Sequence, residues 1–163
     1  MKATRATTLL WWAIPTTILS YLAVAIVISR GLPAPVSPTN LSITLVSISV
    51  VLLLLAFPIW RYRNSLKNSK PNQRPKRVDP FYAVRVVLLA KATSLAGTLF
   101  ASWHLGVLIY QLSAAVIVPV AIARNAFGLL ASLFMIAAGL VVEYLCKLPD
   151  DPDASDPSEP AAT

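Results

Sequence analysis

The sequence predicts an all-α membrane protein: four transmembrane helices arranged as two hairpins, with the N- and C-termini cytoplasmic. Three observations lead there. Of the 163 residues 56% are hydrophobic and only 13% charged, roughly half the charged fraction of a soluble domain. The hydrophobic residues fall in runs long enough to face lipid. Seven of the fourteen basic residues crowd into one stretch, Arg61 to Arg77, between two of those runs, where a charge bias sets membrane orientation. The expected organisation is a transmembrane domain over residues 1–148 and a tail over 149–163.

The first span is expected over about residues 8–29, a length of about 33 Å as a helix, enough for a hydrocarbon core of ~30 Å. It is too long for the apolar part of a signal peptide, and Ser29 to Pro35 offers a poor small-x-small cleavage site, so an uncleaved anchor is expected. Pro15 should kink it beside Trp11 and Trp12, which suit an interface. Residues 30–40 then hold Gly31, Pro33, Pro35, Pro38 and Asn40, a composition that ends a helix.

A second span is expected over 41–60. Ser42 and Ser49 lie seven apart on one face, where they either admit a close neighbour or bond back to their own helix. The loop over 61–80 carries Arg61, Arg63, Lys67, Lys70, Arg74, Lys76 and Arg77 against one acid, Asp79, and Pro71, Pro75 and Pro80 discourage a helix across it. The third span is expected over 83–111 and the fourth over 125–147. Three spans in that stretch would leave Arg124 at mid-membrane, which its charge forbids. The linker 112–124, with Pro119 at its middle, either lies in the interface or extends a neighbouring helix. The tail, rich in acid and proline, is expected to be disordered.

Orientation follows from where the cations fall. With the N-terminus inside, Lys2, Arg5, the seven loop residues and Lys147 lie inside against Arg30 and Arg124 outside, the strong bias that the positive-inside rule requires. The loop cations admit three readings. They could merely fix topology, could hold anionic lipid head groups at about 1 kcal/mol per charge, or could clasp the acidic tail. No aromatic side chains interleave with them as a nucleic-acid platform requires, so nucleic acid is not an expected partner.

Within the spans the most informative residue is Lys91. It sits about 12 Å into the third helix, where an unpaired charge costs about 3 kcal/mol. It shares a stripe with Ser94, Thr98 and Ser102, so that face should look inward. Glu143 lies at matching depth on the antiparallel fourth helix, and Arg85, Lys91 and Glu143 form a candidate intramembrane charge cluster. Two other arrangements compete: Lys91 can snorkel to the interface, and Glu143 can pair with Lys147 at i,i+4. Gly97, Ala101 and His104, with Gly128, Ser132 and Gly139 on the fourth helix, supply close-packing surfaces. His104, nearly opposite Lys91 and beside Trp103, reads as an interfacial residue.

One cysteine, Cys146, excludes an intramolecular disulfide and a multi-cysteine metal site, and one histidine excludes a multi-histidine site. Paired intramembrane aspartates, Gly-x-Ser-x-Gly, His-Glu-x-x-His and a phosphate loop are all missing from the sequence. An enzyme is therefore not expected, nor a cofactor. The expected activity is association, as an accessory or scaffold subunit that contacts lipid, another membrane protein or a second copy. A small transporter or channel subunit using Lys91 and Glu143 is the alternative.

Two segments carry a resemblance: Leu89-Ala-Lys-Ala-Thr-Ser-Leu-Ala-Gly97, and Glu143-Tyr-Leu-Cys-Lys-Leu-Pro149 before the acidic tail. With the four short spans they resemble an actinobacterial family of small integral membrane proteins catalogued as a domain of unknown function. The resemblance implies a multi-pass protein of a bacterial plasma membrane. It transfers no activity.

Overall fold

The computed structural model describes residues 6–33, 35–68 and 79–146. Four helices make up nearly all of them: α1 Ala6–Ser29, α2 Thr39–Asn68, α3 Pro80–Ser113 and α4 Pro119–Cys146. All four are long and apolar enough to cross a membrane. The outward surface is lined by large hydrophobic side chains such as Leu19, Leu54 and Leu130, while in the interior small and polar residues are interleaved with Leu, Val and Met. This is the architecture of a multi-pass membrane protein, whose solvent is lipid.

Local chemistry explains each helix end. α1 stops where Gly31 takes φ 75, with Gly31 N–H donating to Ile28 O at 2.9 Å and Leu32 N–H to Val27 O at 3.3 Å, the paired bonds of a Schellman cap. α3 opens with Asp79 accepting from Phe81 N–H at 2.9 Å and Pro80 in the first turn, where a missing N–H costs nothing. α4 opens on Pro119 for the same reason, with Ala121 and Ile122 N–H both donating to Val118 O.

All four helices outrun the expected spans, α2 and α4 in ways that bear on the site. α2 runs past Trp60 to Asn68, carrying Arg61 and Arg63 as helical residues rather than loop residues. Arg, Leu and Lys are good helix formers and no proline occurs between Pro58 and Pro71, so nothing stops the helix at the membrane edge. Arg63 Nη1 also donates to Tyr144 O at 3.2 Å and Leu145 O at 3.4 Å, placing a cation on the negative end of α4. Its guanidinium lies 5.4 Å from the Tyr144 ring centre. Arg63 is therefore a structural clamp. α4 in turn begins six positions before Asn125 and absorbs half of the expected linker. Lys67 lies on α2, while Lys70, Arg74, Lys76, Arg77, Lys147 and the acidic tail lie outside the described residues.

The connectivity is that of two hairpins, but the packing crosses between them. α3 and α4 form the central pair; α2 rests mainly on α4 and α1 rests on α3 alone. Leu52, Ala56 and Ile59 of α2 meet Val86 and Ala90 of α3 and Val142 of α4 in one cluster. Leu45 of α2 meets Ala131 and Met135 of α4 in another. Close approach between α3 and α4 needs glycine: a Cβ on Gly139 would stand 2.8 Å from Ala90 O, which is backbone and cannot turn aside. Gly106 serves α1 likewise, with Thr17 O and Ser20 filling the place a side chain would take. Ser20 Oγ donates to Trp103 O at 2.9 Å across that contact.

Gly139→Ala should destabilise the bundle by about 1–3 kcal/mol, as overpacking does. Thermal unfolding in detergent would read this as a lowered melting temperature. Ala137→Leu, on the exposed side of the same turn, should leave it unchanged.

Candidate functional site

For orientation, the end of the bundle holding Asp79 and Cys146 is the terminal end, and the end with the α1–α2 and α3–α4 connections is the hairpin end. Polar side chains run along the α3–α4 seam from one to the other.

At the terminal end Lys91 Nζ stands 3.8 Å from Glu143 Oε1. The Glu143 side chain is 6% exposed and that of Lys91 28%, so the carboxylate is the buried partner and the lysine reaches it from the rim. Arg85 is exposed and joins no ion pair among the described residues, so of the expected three-residue cluster the structure brings together this pair. Six positions separate Arg85 from Lys91, which turns it well off the seam.

The stripe above Lys91 does face inward, with Ser94, Thr98 and Ser102 all buried. Their hydroxyls are committed within their own helix. Ser94 donates to Lys91 O, Thr98 to Ser94 O and Ser102 to Thr98 O, at 2.8–3.0 Å. On the facing helices Ser132 donates to Gly128 O and Ser49 to Leu45 O. Gly97 sits against Ile136 and Ser132 O and Gly139 against Ala90 and Ser94, so the small residues of the two helices interlock.

Towards the hairpin end stands His104. Its side chain faces the interior, 1% exposed, on the packing surface that it shares with Gly97 and Ala101. Nδ1 lies 2.7 Å from Phe100 O, and a carbonyl only accepts, so Nδ1 carries the proton. In the neutral ring Nε2 is then an acceptor, and Ser37 Oγ donates to it at 3.0 Å. Ser37 belongs to the α1–α2 connection, so this bond ties that connection to α3. Gly128 makes the room, because a Cβ there would come within 2.5 Å of the ring. One turn beyond, Asn125 Nδ2 donates to Gln111 Oε1 and to Ala121 O, both at 3.1 Å. Gln111 Nε2 is buried without a hydrogen-bond partner.

The spacing held a signal for this cluster. Ala90, Gly97, His104 and Gln111 fall every seven residues, one seam of a packed helix, which marks His104 as inward-facing. Its partner Ser37 carried no such signal.

Beside Ser37 lies a cleft of about 310 Å³, lined by Ser37, Thr39, Ser42, Val120, Ala123, Arg124 and Phe127. It opens between the first turns of α2 and α4.

Two consequences can be measured. Lys91→Glu or Glu143→Lys alone places like charges together and should lower the melting temperature, whereas the exchanged pair should recover most of the loss. The coupling in such a double-mutant cycle is expected at about 0.5–3 kcal/mol. Ser37→Ala leaves the buried His104 Nε2 without its donor and should cost about 1–3 kcal/mol, read by the same unfolding measurement.

No curated protein and no solved structure matches the chain at a significant level. A family described as a protein of unknown function (DUF3180) matches over residues 9–150, from the first turn of α1 past the end of α4. Both the ion pair and the histidine cluster fall inside that stretch, and the chain belongs to this family of unknown function.

Proposed function

We propose that the protein is a non-catalytic accessory or scaffold subunit of a bacterial plasma membrane. It acts by helix packing and through a basic terminal end that faces the cytoplasm. Its partners are anionic lipid and a membrane protein, which can be a second copy of the chain. The observation that supports this best is the commitment of the seam hydroxyls. Ser94, Thr98, Ser102 and Ser132 each bond a carbonyl of their own helix, which suits a packing surface and leaves no chain of exchangeable donors for a conducted ion or proton.

The Lys91–Glu143 pair favours a second reading, a small transporter or channel subunit, because a buried ionisable pair is a common element of ion pathways. Against it stands the depth of the pair, near the terminal end rather than at mid-membrane. Reconstituted vesicles separate the two. On the association reading, wild type gives no flux under ion or proton gradients. A flux that Lys91→Ala abolishes would favour transport instead.

Charge neutralisation tests the association itself. Changing Arg61, Lys67, Lys70, Arg74, Lys76 and Arg77 to Gln, while keeping the clamp residue Arg63, should remove co-purifying partner and anionic lipid in mild detergent. An unchanged set of co-purifying molecules would sink the reading. Orientation is read separately by placing a cysteine at Ala123 in a Cys146→Ser background. A membrane-impermeant maleimide should label it in intact cells, and protection there with labelling only after lysis would reverse the topology.

A further inference from the structure

The cleft at the hairpin end has the chemistry of an anion site with an apolar flank. Three sources of positive potential converge on it. Thr39 and Ser42 belong to the first turn of α2, and Val120, Ala123 and Arg124 to the first two turns of α4. Both helices therefore point their positive ends at it. Neither has an acid in its first turn, and the residues just before them, Pro38 and Val118, have no side-chain oxygen to cap the leading amides. Arg124 adds a full charge. It is exposed and makes no ion pair among the described residues, whose two acids, Asp79 and Glu143, both stand at the terminal end.

Ser42 is an independent sign. It is 1% exposed, lines the cleft and makes no hydrogen bond among the described residues. The other buried seam hydroxyls fold back onto the carbonyl one turn earlier. For Ser42 that carbonyl belongs to Pro38, which already accepts Leu41 N–H at 3.0 Å. Its hydroxyl opens onto the cleft rather than being sealed in the packing, so beside Arg124 it is placed to donate to an acceptor from outside. Ser37, whose proton is held by His104, fixes the wall of the cleft.

We propose that this cleft binds the phosphate of an anionic phospholipid. The phosphate accepts from the Arg124 guanidinium and the Ser42 and Thr39 hydroxyls, while Val120 and Phe127, both exposed to the lipid side, flank the acyl chains. The apolar flank is what distinguishes a lipid from a free phosphate ion. Only the leaflet, the outer one, rests on the topology proposed above. The maleimide test reads that by itself, so a wrong leaflet and an absent site give different results.

The test uses the full chain in nanodiscs of phosphatidylglycerol and phosphatidylcholine, with retained lipid counted by native mass spectrometry after detergent extraction. Wild type should keep phosphatidylglycerol in preference to phosphatidylcholine. Arg124→Gln should lower that retention about tenfold, the loss of a charge-assisted hydrogen bond, and Ser42→Ala about threefold. Arg124→Lys, which keeps the charge without the planar fork, should fall between wild type and Arg124→Gln. Arg30→Gln, at the same end but outside the cleft, should change nothing. Since Arg124 makes no hydrogen bond or ion pair among the described residues, the melting temperature of its variants should match wild type. Equal retention by wild type and Arg124→Gln would overturn the proposal. So would an equal loss on Arg30→Gln, which means diffuse attraction, or full displacement of the lipid by inorganic phosphate, which means a site for a soluble ion.

Discussion

In lipid, two apolar helices gain nothing from hiding apolar surface from one another, so whatever holds α3 to α4 must come from contact distance. That contact is the constraint from which the remaining arrangement follows. With glycine at 139 and 97, the backbones approach until carbonyls and small side chains touch, and many weak dispersion contacts accumulate where larger residues would hold the helices apart. The pair thus becomes a platform. α2 lays Leu45, Leu52 and Ala56 across it and α1 fits Ser20 against Gly106.

So close a seam has little tolerance for unpaired polarity, and the protein meets this in two ways. Hydroxyls turn back onto their own helix, which satisfies the donor without a partner from elsewhere. Groups that cannot do so are paired across elements: Glu143 with Lys91, His104 with Ser37, Asn125 with Gln111. These cross-element bonds specify register. Sliding α4 by one turn would separate the ion pair and drive a side chain into the His104 ring, so both ends of the seam select the same alignment.

The two ends differ in character. At the terminal end the charges are engaged with the fold, Lys91 with Glu143 and Arg63 with the last carbonyls of α4. The hairpin end instead carries cationic potential with no acid of the described residues beside it. A cleft bounded by two helix N-termini and Arg124 completes its charge balance by taking a ligand. The association proposed for this protein therefore has two chemically distinct faces, one basic and terminal, the other a shaped site within the opposite leaflet.

Hydropathy and length alone were enough to place four spanning helices, because a run of about twenty apolar residues has one stable fate in a bilayer. Helical spacing was also enough to turn Ser94, Thr98 and Ser102 inward and to set Glu143 level with Lys91. What local pattern could not settle was where helices extend beyond the membrane. A proline-free run of helix formers permits α2 to reach Asn68, but the contact that holds Arg63 on the end of α4 is made across 81 positions. Nor could it settle which polar residue is buried. His104 beside Trp103 reads as interfacial by sequence, and only the meeting of Ser37, 67 positions away, with the gap at Gly128 makes a dry imidazole affordable there. Whether a polar group lies inside is decided by its partner, and partners are chosen by tertiary structure.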